Sequence, residues 1–197
     1  MAFNPRIHHR RSIRLKGYDY SREGAYFITI CCEDMKNRFG YIQNQEMVLN
    51  ELGIIAYNEW VALAGRFPNL ELDVFQIMPN HMHGIVVIVP VEKTVPVGAT
   101  LAVAQTNTDA LDNSGTGASP VPTSGRTATV GDIVGAYKSL VSNECLKIFK
   151  TKNKTMGKLW QRNYYEIIIR NDQSYQRISD YIVNNPVKWK QDKFHEK

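Results

Sequence analysis

The sequence predicts an α+β fold in which helices pack on a central antiparallel sheet, in the ferredoxin-like order βαββαβ. Strand-like and helical segments alternate as strand, helix, strand, strand, helix, strand, and one further helical pattern follows them. Pro79 and Asn80 separate the second strand from the third, as expected for the tight turn of a hairpin. Right-handed crossovers then place the first and third strands side by side in the middle of the sheet.

Length and composition are ordinary for a globular protein. Of the 197 residues, 43% are hydrophobic and 22% are charged, and no apolar run is long enough to cross a bilayer. The N-terminus lacks the apolar core of a secretory signal. Three cysteines, two of them adjacent at Cys31 and Cys32, neither form a disulfide framework nor match a zinc spacing. We therefore expect a cytoplasmic protein with no membrane partner.

One domain with two appendages is predicted. Residues 1–24 form a basic N-terminal arm, and residues 25–89 and 128–197 form the domain. Between its two parts, residues 90–127 consist mainly of Thr, Ala, Gly, Ser, Pro and Asn, and contain no aromatic residue. This composition is typical of a long disordered, low-complexity insertion.

The first half of the domain supplies the first three main strands. Residues 24–32 are apolar on both faces, which favours a central strand, and a small hairpin is expected after them. Asn50 begins a helix that we expect to end near residues 66–69, because Pro68 disfavours helix in the residue before it. Residues 70–78 form the second strand, and the third begins at His81.

After the insertion, Thr129 and Asp132 match a capping box at the start of a second helix, which runs to about residue 149. Tyr137 and Glu144 interrupt its otherwise apolar stripe. A last strand follows at residues 164–170. A final helix is capped by Asn171 and ended by Asn185 and Pro186.

His81 and His83 are separated by one residue, so in a strand their side chains point to the same face. Two imidazoles on one face crowd each other unless a metal joins them, which favours a metal-ligand pair over structural histidines. Glu144 is a candidate third ligand. Its alternative is an ion pair with Lys147 or Lys150.

Basic charge is the second functional signal. The net charge is +5, the pI is near 9.1, and residues 147–162 contain six Lys or Arg residues without one acid. Such runs are commonly solvated surface, but together with the basic arm they favour a polyphosphate partner. The candidate DNA contacts are Arg10, Arg11, Arg14, Lys138, Ser139, Trp160 and Arg162.

A metal site, a tyrosine and basic charge together suit phosphoryl transfer on DNA, with a phenol oxygen as nucleophile. Tyr137 is the candidate for this role. The alternative is that Tyr137 is a buried aromatic residue of the core, with its hydroxyl held in a hydrogen bond.

Five segments resemble the IS200-like and REP-associated tyrosine transposases, which belong to the HUH single-strand nucleases. They are RSIRLKGYDY at 11–20, MPNHMH at 78–83, YKS at 137–139, LWQRNYY at 159–165 and NNP at 184–186.

The resemblance implies an enzyme dependent on Mg²⁺ or Mn²⁺ that cleaves and rejoins single-stranded DNA at hairpin repeats through a 5'-phosphotyrosine. It implies His81 and His83 as metal ligands and a tyrosine of the helix after their strand as nucleophile, where Tyr137 is the only tyrosine. A register one turn later falls on Val141, which would leave no nucleophile.

Three functions remain open from the sequence. They are the transposase, a catalytically inactive DNA-binding descendant of one, and a small-molecule metal enzyme. The protein is expected to be a monomer or a homodimer.

Overall fold

The computed structural model describes residues 17–90 and 127–195. The expected low-complexity insertion, apart from its end residues 90 and 127, and most of the basic N-terminal arm lie outside the described residues. Six strands, three α-helices and two short 3-10 turns are described: β1 Gly24–Cys31, β2 Gly40–Gln43, β3 Glu46–Leu49, α1 Glu51–Val61, β4 Leu70–Ile77, β5 His81–Ile88, α2 Val130–Thr151, β6 Tyr165–Ile169 and α3 Asp172–Val183, with the 3-10 turns at Glu33–Met35 and Trp189–Gln191.

The main sheet has the strand order β4-β5-β1-β6, and every neighbouring pair is antiparallel. β1 and β5 therefore occupy the centre, and β2 and β3 form a separate hairpin. This arrangement confirms the predicted α+β, ferredoxin-like order with an extra C-terminal helix. It places the start of the histidine strand β5 beside the end of β1, with Cys31 opposite His81.

Helix starts follow the capping residues that the sequence predicts. The Asn50 side chain accepts hydrogen bonds from two backbone amides at the start of α1, and Thr129 and Asp132 form a reciprocal capping box on α2. α1 ends at Val61, earlier than predicted. The backbone beyond it tightens into a turn, in which the Leu63 amide bonds to the Trp60 carbonyl three residues back.

The two faces of the sheet pack against different helices. Met82 and Val86 of β5 join the larger apolar core, to which α1 and α2 contribute. Ile85 points to the opposite face and packs with Ile178 and Ile182 of α3. Since side chains alternate along a strand, His81 and His83 share the α3 face with Ile85.

Gly84 lies between the two histidines and Ile85, on the α1 and α2 face. A Cβ atom there would come within 2.7 Å of the Trp60 ring, so only glycine lets the ring pack against β5. None of the helices that the structure describes is long and apolar enough to span a membrane.

Candidate metal centre

The structure brings the two strand histidines together at the start of β5. Their Nε2 atoms are 3.0 Å apart, their ring centroids are 4.5 Å apart, and both side chains are buried. The turn that precedes them is closed by a hydrogen bond from the Met78 amide to the His81 carbonyl. The hairpin corner therefore fixes where both imidazoles lie.

Asn80 determines which nitrogen of His81 carries the proton. Its amide nitrogen donates to the carbonyls of Met35 and Phe194, at 3.0 and 2.8 Å. Its Oδ1 atom is therefore an acceptor, and it lies 2.8 Å from His81 Nδ1. Nδ1 must be the donor, which leaves Nε2 of His81 with a free lone pair directed into the site.

His83 is held from both of its nitrogens. The Thr29 hydroxyl, opposite His83 in β1, lies 2.7 Å from Nδ1. The Tyr181 hydroxyl lies 3.1 Å from Nε2. The Phe27 ring stacks on the imidazole at a centroid distance of 5.3 Å. These contacts fix the ring plane and direct Nε2 towards the same point as Nε2 of His81.

Asp192 and Asn185 complete the polar cluster. Asp192 Oδ2 accepts hydrogen bonds from the Tyr181 hydroxyl at 3.1 Å and from the Asn185 amide nitrogen at 2.6 Å. Its Oδ1 accepts from the Phe194 backbone amide at 2.7 Å. The Oδ1 atom of Asn185 is buried and has no hydrogen-bond partner in the described part of the chain. A buried carbonyl oxygen without a partner is costly unless a cation or water meets it.

These residues fit a divalent metal ion. Ligand atoms of His81, His83 and Asp192 lie within 4.8 Å of one another. Two nitrogens bound at about 2.1 Å and at right angles would be about 3.0 Å apart, and the two Nε2 atoms have this spacing. The unpartnered amide oxygen of Asn185 belongs to the same polar cluster, and imidazoles together with oxygen donors can bind a divalent cation.

Burial keeps both imidazoles neutral. It lowers the pKa of His81 to about 3, with a smaller effect of the Lys193 ammonium in the same direction. Burial also lowers the pKa of His83 well below its ordinary value, and the neighbouring His81 adds to this. A neutral imidazole can present the lone pair that a metal requires. In His81 this lone pair is already on Nε2, whereas in His83 the proton that Nε2 donates to the Tyr181 oxygen has to move to Nδ1, beside the Thr29 hydroxyl.

The C-terminal segment covers the centre. The Phe194 ring lies 4.7 Å from the His81 ring and 5.8 Å from the His83 ring, between centroids. The Trp189 ring lies 5.9 Å from that of His81. Tyr181 and Asp192, in contrast, remain half-buried. The C-terminal segment therefore places two aromatic rings against the histidine pair, while Tyr181 and Asp192 are partly accessible.

Tyr137 lies on the opposite side of the sheet, which corrects the expectation that it faces the histidines. It is fully buried in the larger core, its hydroxyl donates to the Ala56 carbonyl at 3.0 Å, and its ring meets the edge of Trp60. Burial raises the pKa of the phenol well above its ordinary value. The helical pattern correctly predicts that Tyr137 points towards the sheet. However, α2 packs on the face of the sheet that carries Met82, which is opposite to the face of the histidines.

Glu144 is likewise not brought to the histidine pair. It lies on α2 and accepts a hydrogen bond from the Lys147 ammonium at 2.6 Å. This ion pair is the alternative that the sequence left open, and it corrects the assignment of Glu144 as third ligand. Asp192, which lies beyond α3, is the carboxylate that meets the two imidazoles.

Four of the seven expected DNA contacts lie in the described part of the chain, and two of these four, Lys138 and Trp160, bond to the protein itself. Lys138 donates to three backbone carbonyls of residues 161–163, and burial lowers its pKa to about 8. Trp160 is a core residue whose indole nitrogen donates to the Lys138 carbonyl. Ser139 and Arg162 are exposed. The remaining three, Arg10, Arg11 and Arg14, lie outside the described residues.

Sequence reasoning missed Tyr181, Asn185 and Asp192. A signal was available, because a ferredoxin-like order places α1 and α2 on one face of the sheet. An additional amphipathic helix must then cover the other face, which is where the alternation of β5 puts its histidines. Tyr181 lies on that helix.

The fold and the site define a class: a ferredoxin-like α+β protein with a paired-histidine centre at the start of a central strand. No protein-family model matches the sequence. An uncharacterized protein of Haemophilus influenzae is 42% identical over 193 residues, which cover 98% of this chain and 97% of that protein. The chain belongs to the same family as this Haemophilus protein.

Among solved structures, a REP-associated tyrosine transposase bound to a REP hairpin has a TM-score of 0.52 and 17% identity. The match covers 89% of this chain and 74% of that chain. It confirms the fold that the sequence resemblance implies. A transposase candidate from Deinococcus radiodurans has 17% identity, with 87% of this chain and 95% of that chain covered, but its TM-score of 0.43 is too low to add to the comparison.

Proposed function

We propose that this protein is a metal-dependent endonuclease and transposase that cleaves and rejoins single-stranded DNA, with Tyr181 as its nucleophile. The observation that carries the proposal is the position of the Tyr181 hydroxyl, 3.1 Å from His83 Nε2 and 3.1 Å from Asp192 Oδ2. A phenol, two neutral imidazoles and a carboxylate thus converge at one point. This arrangement suits nucleophilic attack on a phosphodiester.

In the proposed reaction, the Tyr181 oxygen forms a bond to phosphorus and the bond from phosphorus to the 3'-oxygen breaks. The products are a 5'-phosphotyrosine and a DNA strand whose 3'-oxygen has taken a proton from water. The phenolic proton leaves along its hydrogen bond to Asp192 and passes on to water, so that the carboxylate stays ionised. Rejoining is the same step in reverse, with a 3'-hydroxyl as the attacking group.

His81, His83 and Asp192 would hold the metal, with Asn185 Oδ1 as a further oxygen donor. When bound there, Mg²⁺ or Mn²⁺ would supply positive charge that offsets the charge developing on the phosphate. Asn80 and Thr29 would keep the two imidazoles oriented. Tyr181 needs such help, because burial and the Asp192 carboxylate raise the pKa of its phenol.

The proposed substrate is single-stranded DNA with a hairpin. The solved transposase of the same fold is bound to a REP hairpin, and the net charge of +5 favours a nucleic-acid partner. A phosphate at the metal would lie beside the Tyr181 hydroxyl, and the Phe194 ring over His81 would move to admit it. We expect the protein to act in the cytoplasm.

Cleavage by two tyrosine variants tests this proposal. Tyr181→Phe removes the hydroxyl near the histidines, and we expect no cleavage of hairpin DNA by this variant in Mn²⁺. Tyr137→Phe is the matched control, since it removes a buried hydroxyl from the other face, and it should cleave at nearly the wild-type rate. Cleavage by Tyr181→Phe at the wild-type rate would contradict the proposal.

A second function is favoured by one observation, the enclosure of both histidines under Phe194 and Trp189. A non-catalytic DNA-binding descendant could retain the buried pair as a structural element. It would bind hairpin DNA and leave it uncut in Mg²⁺ and in Mn²⁺, whereas the proposed enzyme cuts it.

A further inference from the structure

A cavity of about 620 Å³ lies beside the metal centre, between the β2–β3 hairpin and the C-terminal segment. Its lining includes Tyr41, Gln45, Pro79, Lys188, Trp189 and Lys190. The cavity is within the size range of small-molecule sites, so it can hold a nucleotide.

The cavity adjoins the histidine pair through two residues. Pro79 lines the cavity and immediately precedes Asn80, which fixes the His81 tautomer. Trp189 lines it as well, and its ring lies 5.9 Å from that of His81. The cavity and the metal centre are therefore neighbours, close enough for one DNA strand to contact both.

The lining has the chemistry of a site for an unpaired nucleotide. Among the described residues, no acidic side chain lines the cavity, and Lys188 and Lys190 supply positive charge. The Tyr41 ring is 57% exposed, so a base can stack on it. Four amide side chains present both donors and acceptors, as the edge of a base requires: Asn37, Asn44, Gln45 and Gln191.

The backbone at Gln45 supports a role for its side chain. Asn44 and Gln45 form the turn of the β2–β3 hairpin with φ angles of 50° and 66°. The second position of such a turn is usually glycine, because a side chain is strained there. Gln45 is nevertheless present, and it lines the cavity. Replacing it with glycine removes the side chain without harming the turn.

We propose that this cavity binds one unpaired nucleotide of the DNA strand next to the scissile phosphate. The base stacks on Tyr41, the amide of Gln45 reads its edge, and Lys188 and Lys190 contact the phosphates. This inference rests on the proposed function, since it identifies how the same site selects its DNA.

Binding of two DNA probes tests the proposal. One is a DNA hairpin with a short randomised single-stranded extension, and the other is the same hairpin with a blunt end. Fluorescence anisotropy in EDTA measures affinity without cleavage. We expect the wild type to bind the extended hairpin at least roughly fivefold more tightly than the blunt one, the gain typical of one stacked base. An extension of abasic nucleotides should lose most of this gain.

Gln45→Gly and Tyr41→Ala should lose the gain from the extension and keep the affinity for the blunt hairpin. Sequencing of the bound extensions should show a preferred base at one position for the wild type and a weaker preference for Gln45→Gly. Lys147→Gln is the control, because Lys147 lies on α2 and pairs with Glu144 away from the cavity. Urea unfolding should show Gln45→Gly to be at least as stable as the wild type.

A wild type that binds both probes equally would overturn the proposal, and so would variants that keep the full gain. Cleavage in Mn²⁺, measured separately, distinguishes the two proposals. If the protein prefers the extended hairpin but does not cut it, the proposed nucleotide site stands and the proposed nuclease activity is wrong. If the protein cuts DNA and the variants prefer extended hairpins as the wild type does, the proposed nuclease activity stands and the proposed nucleotide site is wrong.

Discussion

Tyr137 and Tyr181 lie on opposite faces of the sheet, and their hydroxyls have different hydrogen-bond partners. On the α1 and α2 face, Tyr137 donates to a backbone carbonyl inside an apolar core. On the α3 face, Tyr181 meets His83 and Asp192. The pKa of both phenols is raised, above all by burial. The chemistry of a tyrosine thus follows from its hydrogen-bond partners, since burial is common to both.

The same strand produces this difference. In β5, Met82 and Gly84 point to the apolar core, while His81 and His83 point to the α3 face. One face therefore provides stability and the other provides a polar centre. Substitutions on the two faces should separate these properties.

The largest expected effect is on stability, from Trp60→Ala on the α1 and α2 face. The Trp60 ring is fully buried against Tyr137 and Gly84, so its loss should lower the free energy of unfolding by about 3–5 kcal/mol. Phe194→Ala, which removes a half-buried ring from the other face, should cost much less. Urea unfolding compares the two, and equal losses would contradict the division of roles.

Metal binding should stabilise the folded protein through residues on the α3 face of the sheet. At a Mn²⁺ concentration a hundred times its Kd, the wild type should gain about 2.7 kcal/mol in the free energy of unfolding. His83→Ala should gain almost nothing, while Tyr137→Phe should gain as much as the wild type. A full gain in His83→Ala would show that the cation binds elsewhere.

Acid should lower the free energy of unfolding through a residue of the same face. The pKa of His81 is about 3 in the folded protein and near 6.5 in the unfolded chain, so the unfolded chain binds more protons between these values. Stability should therefore fall as the pH drops, by about 2 kcal/mol between pH 7 and pH 5 from this one group. His81→Gln should reduce this dependence in urea unfolding without metal, and the buried His83 should account for what remains. An unchanged pH dependence in the variant would contradict the buried, neutral state of His81.

The smallest effect is expected from Tyr137→Phe. Loss of its hydrogen bond to the Ala56 carbonyl should cost about 1 kcal/mol of stability. DNA cleavage and Mn²⁺ affinity should stay at wild-type values. A large loss of cleavage by folded protein would mean that the apolar face takes part in the chemistry.

Local sequence rules predicted most of the fold. The caps Asn50 and Thr129 begin α1 and α2, and the Pro79 turn joins β4 to β5. These features depend on a few neighbouring residues, so the sequence displays them directly. The end of α1 was predicted too late, because a tightened turn after Val61 leaves no distinct signal before Pro68.

The site was only half predictable. The spacing of His81 and His83 determines their common face within one strand. Asp192 and Tyr181 reach them through a segment about a hundred residues further along the chain, which no local pattern reveals. Tyr137 satisfied the helical pattern equally well. Only the packing of α2 and α3 on opposite faces distinguishes the two tyrosines.

The attachment point of cleaved DNA tests the central claim most directly. Incubation of the wild type with hairpin DNA and Mn²⁺, followed by nuclease digestion and peptide mass spectrometry, locates the tyrosine that carries the 5'-phosphate. We expect the modified peptide to contain Tyr181. A phosphodeoxynucleotide on Tyr137, or efficient cleavage with no modified tyrosine, would contradict a nucleophile on the α3 face.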